Sequence, residues 1–435
     1  MKETVFIYRD RVDLSFMAIR PGDRVVIKPN LIRIPDGPNA PPWECVVTAP
    51  RLIRAVCEDV CEKLKGEGRV TICDSPQTEA SFADIENKMG LRKIAKDCAE
   101  KYKIPVEVLD LRNDEWKVVR GIISERKKLP GDPEGTISFN LGESSLFHKY
   151  QGEGKYYGAD YDTSVVNRHH RGETQEYLIC ATPVKADVFI NIPKMKTHKK
   201  SGVTLCLKNL VGINAEKNWL PHHTMGSPED GGDQFPTKSF LRKIENFAFK
   251  LVVDGIIKIP WLGTRMAQLI RKPGIAVFGS NKKVIRSGNW YGNNTIWRMI
   301  LDLNRCLLYG NPDGSFRSGS PKRYYCVIDG AVGMEGNGPL EGNSVQAGCY
   351  ICGSNPVAVD MVAARVMGLD WRKIPVIKNA FDVRKYKLVD FAPEEVEVVC
   401  ETPGWSGKLS DLERTQFFNF RPSPGWAGKI EHTGN

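Results

Sequence analysis

The residues of this chain best equipped to do chemistry lie between Asn191 and Gly212, in NIPKMKTHKKSGVTLCLKNLVG. Lys194, Lys196, Lys199 and Lys200 supply four amines there, His198 an imidazole and Thr197 a hydroxyl, directly after the apolar run ADVFINIP. Lys208 and Asn209 follow inside GVTLCLKNLVG, where apolar neighbours leave an amine poorly solvated unless an anion answers it. Lysine is a compact point charge whose pKa burial depresses, so Lys194, Lys196 or Lys208 suits an electrostatic clamp or a general base. A solvated loop tolerates a charge run equally well; the embedded Lys208 argues against that plainer reading.

Other apolar runs end in the same way. RVVIKPNL closes on Lys28 and Asn30, RVTICDS on Asp74 and Ser75, and RYYCVIDG on Asp329 and Gly330. Ligands of open parallel sheets bind beyond the carboxyl ends of the strands, so these ends, with Asn191 and Lys194, would ring one cleft. Taken singly, each is as readily a turn or helix-cap residue, Asp74 and Ser75 above all. GAVGMEGNGP (330–339) reads as a Gly-rich turn carrying Glu335 and Asn337. It fits neither the phosphate-loop nor the dinucleotide pattern, and its glycines suit close approach to a ligand or a tight turn equally.

A divalent metal is a further candidate. Four of the seven histidines form the pairs His169–His170 and His222–His223, the second trailed by Glu229, Asp230 and Asp233. His198, His222, His223, Asp230 and Asp233 are together a ligand set for zinc, iron or manganese, although their spacing matches no established motif and adjacent loop histidines are often simply exposed. Cys349 and Cys352 have CxxC spacing, but a strand sends residues three apart to opposite faces, which favours core packing. The other cysteines sit in apolar stretches in the manner of reduced thiols, and no closely spaced ferredoxin-like run occurs, so no iron–sulfur cluster is expected.

The elements that must hold these residues alternate as βαβαβ over the first part of the chain: strands at 24–31, 69–75 and 105–111, helices at 49–64 and on to about 103. A polar, hairpin-rich stretch (117–172) precedes the nearly continuous apolar run 186–193, the mark of a strand buried on both faces. The pattern predicts an α/β fold, a mostly parallel, Rossmann-like sheet flanked by helices, with an inserted or capping lobe. Its predicted parts are an α/β lobe at 1–212, the inserted lobe at 213–322 with an amphipathic helix at 295–308, a second α/β segment at 323–400 that completes the sheet, and an extended tail at 401–435. Asn355 and Pro356 open a further helix as cap and first turn.

The formal charge of +10 is spread along the chain without a dense basic block or nucleic-acid motif, which fits acidic small molecules better than DNA or RNA. No apolar run reaches membrane-spanning length and no signal peptide is evident, so a cytoplasmic protein is expected. The apolar and basic segment 240–272 admits weak membrane-surface contact, with core helices the preferred reading.

KPNL (28–31), ADVFINIPKMKTH with GVTLCLKNLVG (186–212), DGAVGMEGNGP (329–339) and NPVAVDMVAARVMG (355–368) together resemble the family named domain of unknown function 362, in the form without the iron–sulfur module some members carry. The resemblance implies a shared site on Lys28, Asn30, Lys194, Lys196, His198, Lys208, Asn209, Asp329, Glu335, Asn337 and Asp360, without a reaction. Asp360 lies within an apolar helix, where it would either pair with a base such as a site lysine, the preferred reading, or line the cleft. The expectation is a basic cleft for a small anionic metabolite, phosphorylated, carboxylated or sugar-nucleotide-like. Two readings stand open: an enzyme, with metal assistance or without it, in which lysines clamp the anion, His198 or a lysine moves protons, and Asp329 or Glu335 is the partner carboxylate; or a carrier that binds without turnover.

Overall fold

The computed structural model describes residues 2–119, 122–160, 162–239, 285–412 and 418–433. The segment 240–272, read above as core or membrane-surface helices, lies outside these residues. One sheet of 12 strands organises the described chain. In chain order its strands are β1 (Glu3–Tyr8), β2 (Arg24–Pro29), β3 (Arg69–Asp74), β4 (Val106–Asp110), β5 (Val188–Ile192) and β6 (Lys194–His198). There follow β7 (Gly202–Thr204), β8 (Arg323–Glu335), β9 (Asn343–Val345), β10 (Cys349–Gly353), β11 (Val396–Cys400) and β12 (Gly407–Lys408).

Strands β8, β5, β2, β3 and β4 lie side by side and parallel, in that order. β10 continues the sheet, antiparallel to both β8 and β1, with β11 parallel to β1 beyond it. The central strands are apolar at consecutive positions because both faces are covered. Val25 and Ile27 face one apolar core while Val26 faces the other, and Val188, Ile190 and Ile192 oppose Phe189 in the same manner. Helices Pro50–Leu64, Phe82–Met89 and Leu91–Tyr102 cover the first face; Ile296–Tyr309 and Pro356–Val366 lie on the second. Asn355 caps the last of these, accepting from the Val357 and Ala358 amides at 2.8 and 3.2 Å. Cys349 and Cys352 fall in opposite cores, as a strand requires of that spacing. No helix among the described residues is long and apolar enough to cross a membrane.

Three expectations change. Lys194–His198 is a strand rather than a loop, buried throughout, parallel to β8 on one side and antiparallel to β7 on the other. The glycines of 330–335 belong to β8, a strand of 13 residues, and the turn begins only at Gly336. A Cβ on Gly330 would stand 2.7 Å from the Met195 side chain and one on Gly333 2.7 Å from Phe420, so close packing rather than a ligand explains both. The helix predicted as amphipathic at 295–308 is buried on its polar side too from Met299 onward: Ile296, Met299, Ile300, Leu303 and Leu307 are inaccessible, and so are Asp302 and Asn304. Its polar side faces protein. Asp302 accepts from Ser145 Oγ at 2.6 Å and Tyr177 Oη at 3.2 Å, and pairs with Arg305.

The tail turns back onto the sheet. Phe420, Trp426 and Ile430 are buried, Arg421 pairs with Glu335 at the end of β8, and Trp426 Nε1 donates to the Lys199 carbonyl at 2.7 Å.

Removing a carboxylate that holds a buried guanidinium is costly. Asp302→Ala is expected to lower the unfolding free energy by about 3–5 kcal/mol, measured by urea denaturation followed by circular dichroism, because it strands Arg305 in the core.

Candidate functional site

A cleft of about 380 Å3 opens beyond the carboxyl ends of β2 and β3. β2 brings Lys28 and Asn30, and β3 brings Asp74 and Ser75. The β6–β7 hairpin contributes His198, Lys199, Lys200 and Thr204, and the short helix Cys206–Asn209 contributes Lys208 and Asn209. Gly212, Lys217, His222, Glu341, Arg33, Glu79, and Thr78 with Asp160 also line the cleft. Of the four strand ends expected to meet there, β2 and β3 line the cleft directly; those of β5 and β8 stand behind it.

Amides tie the floor together. Lys196 Nζ donates to Asn30 Oδ1 at 2.9 Å, Asn30 Nδ2 to Asn209 Oδ1 at 2.7 Å, and Asn209 Nδ2 to Asn191 Oδ1 at 2.7 Å. Asn191 Nδ2 in turn reaches Tyr324 Oη at 2.5 Å. Each of these asparagines uses its carbonyl and its amino group, so the relay fixes their orientation across strands distant in sequence.

The lysines meet burial in different ways. Lys28 pairs with Asp74 at 2.7 Å, both almost inaccessible, and Asp74 also accepts the Leu31 and Ser75 amides at 2.9 Å. Gly212 presses on this pair: a Cβ there would lie 2.1 Å from Asp74 Oδ1 and 2.7 Å from Lys28 Nζ. Lys217 Nζ sits among neutral oxygens, 2.9 Å from both the Ser75 carbonyl and hydroxyl, and burial pushes its pKa down to about 8. Lys200 donates to the Ser287 carbonyl and is pushed down to about 7 by burial and by Lys199. Lys208 reaches the cleft with no acceptor among the described residues, and burial with repulsion from Lys28 and Lys217 brings it to about 8. Burial and these cations hold His198 well below the ordinary imidazole value. Its Nδ1 accepts the Lys200 amide at 3.0 Å and the Ser201 amide at 3.3 Å, which leaves the ring proton of the neutral tautomer on Nε2. Asp160, also in the lining, accepts from Thr78 Oγ1 at both carboxylate oxygens (3.1 and 3.2 Å), and burial raises it to about 6.

Several residues expected at one site are elsewhere. Lys194 and Asp329 form their own buried pair at 2.8 Å and do not line the cleft. Lys196 is beneath the floor. Glu335 is bound to Arg421, and Asn337 contacts Glu341 at 3.1 Å on the exposed side. Asp360 accepts the Cys206 and Leu207 amides at 2.7 and 3.0 Å, satisfying the start of the helix that carries Lys208. It therefore pairs with backbone and not with a lysine, and burial lifts it to about 7.

The metal set does not assemble. His222 reaches the cleft, but its Nδ1 is 3.0 Å from the Leu220 carbonyl, and His223 stacks on Tyr157 with centroids 4.7 Å apart. Asp233 is consumed by the Thr224 and Asn294 amides and Thr295 Oγ1, and Asp230 pairs with Lys238 at 3.0 Å. No group of three or more metal-ligating side chains exists among the described residues. His169 and His170 are occupied too, by Glu176 at 2.8 Å and by the Trp219 carbonyl at 2.8 Å.

Lys217, Thr204, Gly212 and Asp160 were not singled out from sequence. Thr204 and Gly212 stand inside the family-like block and were within reach; Asp160 lies in a polar stretch that carries no signal.

Fold and site together define an α/β protein with a basic cleft at the carboxyl edge of a mostly parallel sheet. The chain belongs to the family described as domain of unknown function DUF362, whose model matches residues 25–130 and 139–365. No curated protein matches the sequence. A crystal structure of a protein from Thermotoga maritima aligns with 81% of this chain at 12% identity and a TM-score of 0.33, and this chain spans 55% of that protein's length.

Gly212→Ala is expected to force Lys28 and Asp74 apart. Overpacking of this kind costs about 1–3 kcal/mol, read as a lowered denaturation midpoint. Gly319→Ala, likewise outside the left-handed region but in open space, is the control for the loss of glycine alone.

Proposed function

We propose that this protein binds a small anionic metabolite in the cleft beyond β2 and β3 and acts on it as an enzyme. One observation carries the reading: Lys208 presents an ammonium to the cleft without an acceptor among the described residues, beside Lys28 and Lys217, which repel it. Desolvating like charges together costs free energy that an anionic ligand would offset. In this reading Lys28, Lys208 and Lys217 form an electrostatic clamp whose donors are already oriented, the condition under which such groups stabilise developing negative charge. Lys208, poised near neutrality, is the group suited to moving a proton; His198, held neutral with its hydrogen on Nε2, is suited to donating a hydrogen bond. Phosphorylated, carboxylated and sugar-nucleotide-like compounds all satisfy this description.

The test is exposure of the immobilised protein to a metabolite extract, with mass spectrometry following both retention and consumption. An enzyme depletes an anionic compound, and Lys208→Met is expected to abolish the depletion and weaken retention about 30-fold. Retention without consumption would replace the enzyme by a carrier; retention of no anion by the wild-type protein would end the proposal.

The reading also predicts a pH dependence. Unfolded lysine titrates near its ordinary value of 10.5 and folded Lys208 near 8, so between these the unfolded chain holds more protons. Stability of the ligand-free fold from this group is therefore expected to rise as pH climbs from about 8 to 10, while anion affinity falls over the same range as the clamp loses charge. Thermal unfolding with and without ligand, run across that window, checks both slopes.

A further inference from the structure

We infer that the ligand is a phosphate monoester, its phosphoryl group held by Lys208, Thr204 and His198 and its other end carrying hydroxyl groups that meet Asp160. The inference rests on the anionic-ligand reading above and narrows it. Three hydrogen-bond donors at the cleft lack a protein acceptor among the described residues. Lys208 Nζ is one. Thr204 lines the cleft, is 2% exposed, and its hydroxyl has no partner. An unanswered buried hydroxyl is destabilising, so a retained one at a cleft wall points to a group that arrives later. His198 is the third, since the backbone amides of Lys200 and Ser201 occupy Nδ1 and leave Nε2–H unpaired.

These donors come from three consecutive elements that share one side of the hairpin. Thr204 is directly opposite Lys196 in the β6–β7 ladder, and His198 is two residues along from Lys196, so all three side chains stand on the same face. Lys208 follows in the next helix and lies near enough to bias His198. A carboxylate offers two oxygens in one plane. A phosphoryl group offers three terminal oxygens fanned about one atom, and its double charge answers a clamp in which Lys28 already has a carboxylate and Lys208 has none.

The free carboxylate of Asp160 disfavours a ligand that is anionic throughout. Asp160, Glu79 and Arg33 line the cleft; Glu79 and Arg33 answer each other at 3.4 Å, while Asp160 accepts from the Thr78 hydroxyl and has no cation within ion-pair distance among the described residues. A second phosphate or a carboxylate there would meet repulsion, whereas sugar or polyol hydroxyls would donate to Asp160.

Calorimetric titration of the full chain with acetate, inorganic phosphate, a hexose monophosphate and inorganic tripolyphosphate tests this. Phosphate is expected to bind at least tenfold more tightly than acetate, and the hexose phosphate more tightly than phosphate or tripolyphosphate. Thr204→Val, which keeps the shape, should weaken phosphate about tenfold; Thr204→Ser should restore it, separating the hydroxyl from any packing defect. Asp160→Asn should move the two ligands in opposite directions, weakening the hexose phosphate and tightening phosphate. Acetate binding as well as phosphate, with dependence on Lys208, would overturn the phosphoryl assignment and leave the anion cleft standing. Equal affinity for the hexose phosphate and tripolyphosphate would overturn the hydroxyl end. Binding of none of the four, with retention of some other anion from the metabolite extract, would overturn this inference alone.

Discussion

Everything around the cleft is arranged by the cost of taking ammonium groups out of water. An isolated buried lysine is destabilising by several kcal/mol unless a carboxylate, a set of neutral oxygens or a ligand replaces its hydration. The protein uses the first two in turn. Lys194 has Asp329, and Lys28 has Asp74. Lys196 has the Asn30 and Val46 carbonyl oxygens, and Lys217 has oxygens of Ser75, Val211 and Asn214. Lys208 has none of these among the described residues, and is the point where the accounting is left open toward solvent.

That arrangement demands a rigid frame, and the sheet supplies it. Parallel strands β8, β5, β2 and β3 are packed on both faces, so the residues just beyond their carboxyl ends inherit fixed positions. β6 then extends the frame past the edge of β5, placing the lysines of KMKTH on a strand whose alternate residues serve different purposes. Lys194 and Lys196 point to buried partners beneath the cleft, while His198 emerges at its wall. Asp360 fixes the start of the helix that carries Lys208, and Trp426 of the returning tail holds the hairpin turn through the Lys199 carbonyl. These contacts hold the cleft from behind without entering it.

The hydrogen-bond relay through Asn30, Asn209 and Asn191 explains why amides accompany the amines. An amide both accepts and donates, so one relay can satisfy Lys196 at one end and backbone at the other without adding charge to a crowded interior. A carboxylate in its place would add a negative charge beside the cleft lysines. Glycine at 212 has a matching role, since any side chain would occupy the space of the Lys28–Asp74 pair.

What the sequence by itself determined is local in origin. Continuous apolar runs ending in polar residues marked the parallel strands and the polar positions at their carboxyl ends, because burial on both faces and a sudden change in solvation are properties of neighbouring residues. Lys208 stood out on the same ground, as an amine within GVTLCLKNLVG. The partners were decided only by the tertiary structure. Lys194 and Asp329 are 135 residues apart, and Asp360 reaches Cys206 across 154. No local pattern tells which carboxylate will neutralise which lysine, because Coulombic and hydrogen-bond energies depend on distances that only the packed sheet establishes. The histidine pair 222–223 marks the same boundary: its composition suited a metal, but packing turned one ring onto Tyr157, took Asp233 for backbone amides, and dispersed the set.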